Sequence, residues 1–247
     1  MGLNTILIFM TFSALAIISF VHDEARAATM SRSKEEWTVD ITGLFIQGIL
    51  IPAFPLLIVP LLYTLFPAYA GKLELDSVIQ FLLSFVLVDY LYYWNHRFFH
   101  KKNFWAIHRL HHSSRHLDIF ATSRNSLVTS FMFVYVWAQI LALFVLRDAS
   151  AFMIGLGLTF ALDLWRHSGV QHPETINKAL NWFLIMPGQH VVHHSLTGRT
   201  KNYGANLCWW DKIHNTYSPA EIQNKNLEKL SDKNVWRELI APWKANK

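Results

Sequence analysis

The chain has 247 residues, of which 52% are hydrophobic and only 16% charged, and its formal net charge is +5. That composition belongs to an integral-membrane protein, and no basic run, recognition motif or base-stacking array accompanies the positive charge to suggest a nucleic-acid partner. The single cysteine, Cys208, excludes an internal disulfide, a cysteine-based zinc cluster and an iron–sulfur cluster.

Along the chain, Leu3 to Val21, Ile41 to Gly71 and Asn125 to Leu146 carry no charge. Each is long enough to cover a hydrocarbon core of ~30 Å. The first run has a second reading, a signal peptide cut near Ala25-Arg26-Ala27. No basic residue precedes it, however, and cleavage would invert every later span. Pro52, Pro55 and Pro60 interrupt the second run, which predicts a kinked span or a partly re-entrant hairpin. Two weaker segments follow: Leu75 to Trp94 contains Asp89, and Ala149 to Trp165 contains Asp163. A carboxylate inside a span is costly and needs a functional or paired role.

The expected architecture is therefore an all-α bundle of four or five spans, with Ile41–Phe66 the uncertain part. Lys and Arg concentrate in cytoplasmic loops. Of the 22 basic residues, only Lys72 and Arg147 fall in the opposite set of connections. This places the N-terminus outside and a histidine-rich cap on the cytoplasmic side, in a bacterial inner membrane or the endoplasmic reticulum. Without a linker, low-complexity tract or long repeat, residues 1–247 read as one integral-membrane domain.

The chemistry is written in histidine. Of the 13 histidines, eight form three boxes: His96 and His100; His108, His111 and His112; His190, His193 and His194. Residues at i, i+3 and i+4 share one helix face, so each box can aim its rings at one point. Eight imidazoles exceed what one ion coordinates, and two metal ions are the natural reading. The second and third boxes share the pattern His-x-x-His-His-Ser and read as halves of a facing pair. His167, four residues after Asp163, is added as a ninth ligand. Asp89, spaced seven residues before His96 on the same helix face, and Asp163 are assigned to orienting ligands through their ring N–H groups. His172 and His116 are left open as ligands, and His22 and His214 read as surface or interfacial. Phe85, Tyr92, Trp94, Phe98, Phe99 and Trp105 are candidates to line an apolar substrate channel or to form a lipid-facing belt.

Imidazole suits iron, zinc, copper and nickel alike. Catalytic zinc hydrolases use about three protein ligands, and no His-Glu-x-x-His box supplies the general base of a zinc protease. A redox-active iron pair at a membrane interface suits oxygen activation on a lipid. Two other classes stay open: a zinc-dependent membrane hydrolase and a histidine-rich metal transporter, the latter predicting ligands at the bilayer midplane.

The order of the boxes, with Asp89-Tyr-Leu-Tyr-Tyr-Trp-Asn-His96-Arg97, His111-His112-Ser113-Ser114, Lys201-Asn202-Tyr203-Gly204 and Trp210-Asp211-Lys212, resembles the fatty acid hydroxylase and sterol desaturase superfamily, over residues 85–217. The His-Ser-Ser and Lys-Asn-Tyr-Gly stretches are most similar to its alkylglycerol monooxygenase branch. The resemblance implies a helical membrane bundle whose histidines hold two irons. It implies O2 as co-substrate and hydroxylation or desaturation of a fatty acyl, sterol or alkyl-ether lipid. Its ligands fall on His96, His100, His108, His111, His112, His167, His190, His193 and His194, with Asn202 and Tyr203 lining the site. The chain carries no haem module or dinucleotide fingerprint, so electrons are expected from a redox partner protein or a reduced pterin. The basic face offers an acidic carrier a docking surface.

Overall fold

The structure, a computed structural model, describes residues 3–170, 172–220 and 235–244, and among these it is all-helical, with two isolated backbone bridges and no strand. The single-domain reading of residues 1–247 extends past them. In chain order the helices are α1 (Leu3–Val21), α2 (Asp23–Met30), α3 (Lys34–Leu65), α4 (Ser77–Phe99), α5 (Trp105–His112) and α6 (Leu127–Met132). Then come α7 (Val134–Val145), α8 (Ser150–His167), α9 (Glu174–Leu180), α10 (Pro187–His194), α11 (Trp209–Ile213) and α12 (Val235–Ile240).

By length and composition α1, α3 and α4 can each cross a membrane. Their outer faces are apolar: Phe9, Leu56 and Leu57 are 62%, 75% and 72% exposed, which water would not tolerate over so wide a surface. The prolines do not break α3. A π turn at Ile46–Leu50 widens the helix immediately before Pro52, and the helix then runs through Pro55 and Pro60. The wide turn relaxes the ladder ahead of Pro52, whose ring nitrogen cannot donate; of the two expected readings, a kinked span or a partly re-entrant hairpin, the hairpin is corrected, because Lys34–Leu65 is one continuous helix. At 32 residues α3 is ~48 Å long and outreaches the hydrocarbon core. A capping box starts it: Ser33 Oγ accepts from Glu36 N, and Glu36 accepts from Ser33 N.

The uncharged run Asn125–Leu146 is not one helix. Phe133 is extended (φ −64°, ψ 128°) and separates α6 from α7. Asn95 of α4 bridges the gap, donating to Met132 O at 3.2 Å and accepting from Val134 N at 3.3 Å. A long-range side chain thus satisfies the backbone groups that an unbroken helix would have paired internally.

At one end of the molecule the turn after α3 joins the turn after α7: Gly71 N donates to Phe144 O, Leu73 N to Val145 O and Arg147 N to Leu73 O, at 2.9–3.0 Å. Lys72 and Arg147 therefore stand together. From there α4 and α8 run back to the opposite end, where the three boxes lie. The two helices touch closely: a Cβ on Gly155 of α8 would overlap Ser84 Oγ, inside the π turn Leu83–Leu87 of α4, and the small residue permits the approach. Val88, Tyr135, Ala142, Leu146, Phe152, Leu156 and Ala205 form the core that these two helices share with α7.

The box end is tied by buried ion pairs. Asp40 of α3 receives Arg32 at 2.9 Å and Arg124 at 2.6 Å, and Arg32 also reaches Asp118 at 2.6 Å. Arg124 donates to Ser113 O at 2.8 Å, just after the second box. Behind α5, Arg109 pairs with Glu238 of α12 at 3.0 Å.

Candidate metal centre

α4 ends in the first box, α5 carries the second, the last turn of α8 carries His167, and α10 carries the third. These four helices bring nine histidines into two adjoining groups: His96, His100, His108, His112 and His193; and His111, His167, His190 and His194. In each group one ring nitrogen per residue lies within 4.8 Å of all the others. All nine are buried except His100, which is partly so. The second and third boxes face each other: the His112 and His194 rings stack 4.4 Å apart, at the seam between the groups.

Hydrogen bonds fix the tautomers of three rings. His96 Nδ1 donates to Tyr203 O at 2.8 Å, His193 Nδ1 to Lys201 O at 2.6 Å and His167 Nδ1 to Asp163 O at 2.9 Å. A neutral imidazole has one N–H, so each of these presents a bare Nε2 inward. His96 Nε2 and His193 Nε2 then face each other at 3.1 Å with a lone pair each. Neither can donate to the other, and two lone pairs at that distance repel unless a cation lies among them. Six further buried ring nitrogens, on His100, His108, His111, His112, His190 and His194, have no hydrogen-bond partner. On His100, His108, His190 and His194 the unpaired atom is Nδ1, and Nε2 is the atom that faces the neighbouring rings. Burial, reinforced by neighbouring histidines, holds His100, His108, His111, His112, His190, His193 and His194 below the ordinary imidazole range. Neutral imidazole is the ligand form, and the donor set fits two nitrogen-loving transition-metal ions.

The carboxylates are placed differently from the sequence expectation. Asp89 touches no histidine. It accepts from Asn206 N at 2.8 Å, Leu207 N at 3.0 Å and Trp210 Nε1 at 2.8 Å, and His96 Nδ1 donates to Tyr203 O instead. Asp163 serves His167 through its carbonyl, while its carboxylate pairs with Arg166 at 2.7 Å and lies 3.5 Å from His167 Nδ1. Tyr203 borders the five-histidine group, its ring 5.1 Å from that of His100. Asn202 instead braces the backbone, donating to Gln189 O and Ser218 O, each at 3.0 Å. His172 accepts from Trp165 Nε1 at 2.9 Å and belongs to neither group, nor does His116.

Of the aromatic candidates, Tyr92, Phe99 and Trp105 lie against cluster histidines. Phe85 stacks on Phe81, Phe98 packs on Phe104, and Trp94 packs against His214. The residues that sequence reasoning missed are the carbonyls of Lys201 and Tyr203. A backbone acceptor carries no residue-type signal.

A protein-family model described as fatty acid hydroxylase matches residues 81–216, more than half the chain. The chain belongs to this family. Within the fatty acid hydroxylases it is 31% identical over 159 residues to the alkylglycerol monooxygenase of Xenopus tropicalis, covering 61% of this chain and 33% of that protein. It is 33% identical over 164 residues to the alkylglycerol monooxygenase of Homo sapiens, covering 63% and 34%. To methylsterol monooxygenase 1-2 of Arabidopsis thaliana it is 28% identical over 169 residues, covering 64% and 53%. The similarity thus spans about a third of the alkylglycerol monooxygenases. No solved structure matches. These fatty acid hydroxylase relatives are lipid and sterol monooxygenases, and the histidine clusters fit metal binding.

Proposed function

We propose that the protein is a membrane-bound di-iron monooxygenase acting on a lipid, with an alkyl-ether lipid the first substrate to test and a methyl sterol the second. The observation that carries this is the pair of adjoining histidine groups, in which facing nitrogens are fixed as acceptors. His96, His100, His108, His112 and His193 would hold one ion, and His111, His167, His190 and His194 the other. When bound, iron at these positions supplies the oxygen and electron-transfer chemistry that side chains lack.

The chain's own residues position and shield. The carbonyls of Tyr203, Lys201 and Asp163 hold three imidazoles in the tautomer that leaves Nε2 bare. Tyr92, stacked on Tyr135 at 4.9 Å and lying 5.3 Å from His96, closes the bundle side of the first group with apolar surface, which excludes water from the reacting carbon. In the net reaction one oxygen atom of O2 enters a carbon–hydrogen bond and the other leaves as water. The electrons and protons come from an external donor, either a carrier protein or a reduced pterin. The basic residues at the box end favour an acidic carrier.

The test is metal analysis of detergent-purified protein grown with iron, beside a His108→Ala, His111→Ala variant that removes one ligand from each group. About two irons per wild-type chain are expected, with both lost in the variant. With 18O2, a reductant and alkylglycerol, label should appear in the lipid product. Turnover without oxygen or reductant would replace this reading with zinc-dependent hydrolysis, and folded wild-type protein without metal would sink it.

A further inference from the structure

We propose that Asp211 is a positioning residue for the five-histidine group, acting through the Tyr203 carbonyl without touching a metal. The inference rests on reading that group as a metal site. His96 is its hub: His96 Nε2 lies 3.1 Å from the Nε2 atoms of His108 and His193 and 3.3 Å from that of His100. The ring is oriented by one hydrogen bond, from Nδ1 to Tyr203 O. That carbonyl belongs to an irregular segment with no helical ladder to hold it.

Asp211 holds it. The carboxylate is fully buried, and no salt bridge to it occurs among the described residues. One oxygen accepts from Tyr203 N at 2.8 Å and Thr216 Oγ1 at 2.7 Å, and the other from Gly204 N at 2.7 Å. The loop closes on itself, because Thr216 N donates to Asp211 O at 2.8 Å and Asn202 N to Thr216 O at 2.9 Å. Asn202 takes φ +54°, a left-handed turn that asparagine accepts more readily than most residues. On either side of it stand the Lys201 carbonyl, which orients His193, and the Tyr203 carbonyl, which orients His96. Both facing ligands of one group thus take their direction from a single turn pinned by Asp211. In the four-histidine group the ring that bonds a backbone carbonyl, His167, takes it from Asp163 O within α8 itself, and the turn reaches α10 through Asn202 on Gln189 O alone. Disturbing Asp211 should therefore weaken one metal site and spare the other.

Asp211→Asn preserves shape but turns an amide donor toward one of the N–H or O–H donors. Outer partners of metal-binding histidines typically contribute ~10–100-fold in affinity. Chelator competition on the full-length protein in detergent should show one of the two metals bound that much more weakly and the other unchanged. In a His190→Ala background, Asp211→Asn should weaken the one metal that remains by the same factor, while in a His108→Ala background it should leave the remaining metal unchanged. A folded Asp211→Asn protein that keeps both metals at wild-type affinity overturns the proposal, as does selective loss from the four-histidine group. If Asp211→Asn does not fold, Thr216→Val removes one donor from the same carboxylate. It should weaken the same single site by a smaller factor, and equal or absent effects on both sites overturn the proposal. Wild-type protein that is folded and metal-free would instead defeat the underlying metal reading.

Discussion

A histidine that binds metal must be neutral and must turn its bare nitrogen inward, and both conditions have consequences that solution measurements can reach. Seven cluster histidines titrate below the ordinary imidazole range because they are buried. In the unfolded chain they return to about 6.5. Below that pH the unfolded state binds more protons than the folded one, so stability is complete above it and falls as pH drops toward the folded values. Metal-stripped protein should accordingly lose melting temperature steeply from pH 6.5 to pH 5 and little between pH 7.5 and pH 8.5. A flat profile through the acid range would count against neutral, buried clusters. That these histidines would come together was legible in the sequence because spacing alone puts each box on one face; His167, added from its register with Asp163, lies with His111, His190 and His194. The orienting partners were not legible. Asp89 looked like an acceptor for imidazole, yet it binds the backbone of Asn206 and Leu207, contacts across more than a hundred residues that no local pattern encodes.

Among the elements, α5 has the largest role for its size. Its eight residues send His108 and His112 to one group and His111 to the other. So short a helix is not stable by itself. It is held from behind by Leu110 against Val39, Val235 and Leu239, and by Arg109 on Glu238. Removing one partner of a buried ion pair costs about 3–5 kcal/mol, whereas replacing both by apolar residues is often neutral. Arg109→Met alone should thus destabilise the protein strongly and loosen metal in both groups, and adding Glu238→Leu should restore most of the loss. Chemical denaturation with parallel metal analysis would show this; additive losses in the double variant would mean that the pair is not what seats α5. The uncharged stretches marked α1 and α3 in the sequence, because length and hydropathy are local properties. The break at Phe133 was hidden, since Asn95 compensates it from another helix, and the π turn just before Pro52 has no residue signature.

At the scale of the whole molecule, basic charge is sorted between two ends. Lys72 and Arg147 meet where the turns after α3 and α7 pair, while Arg97, Lys101, Arg109 and Arg124 accompany the boxes. α4, at 23 residues, is ~34 Å long, enough to hold the ends on opposite sides of a hydrocarbon core. Single cysteines test this cleanly, because the native Cys208 is buried. In sealed vesicles Lys72→Cys and Arg147→Cys should react with an impermeant maleimide from one face and Lys102→Cys from the other. Labelling of all three from one face would contradict a membrane-crossing α4. The pairing of Arg109 with Glu238 reaches beyond stability to time. Glu238 follows Arg109 by 129 positions, so on the ribosome α5 emerges long before the carboxylate that seats it. A nascent chain interrupted after the third box would display all nine cluster histidines and still lack a finished site, and on the proposed metal reading capture would be a late event in the life of each molecule.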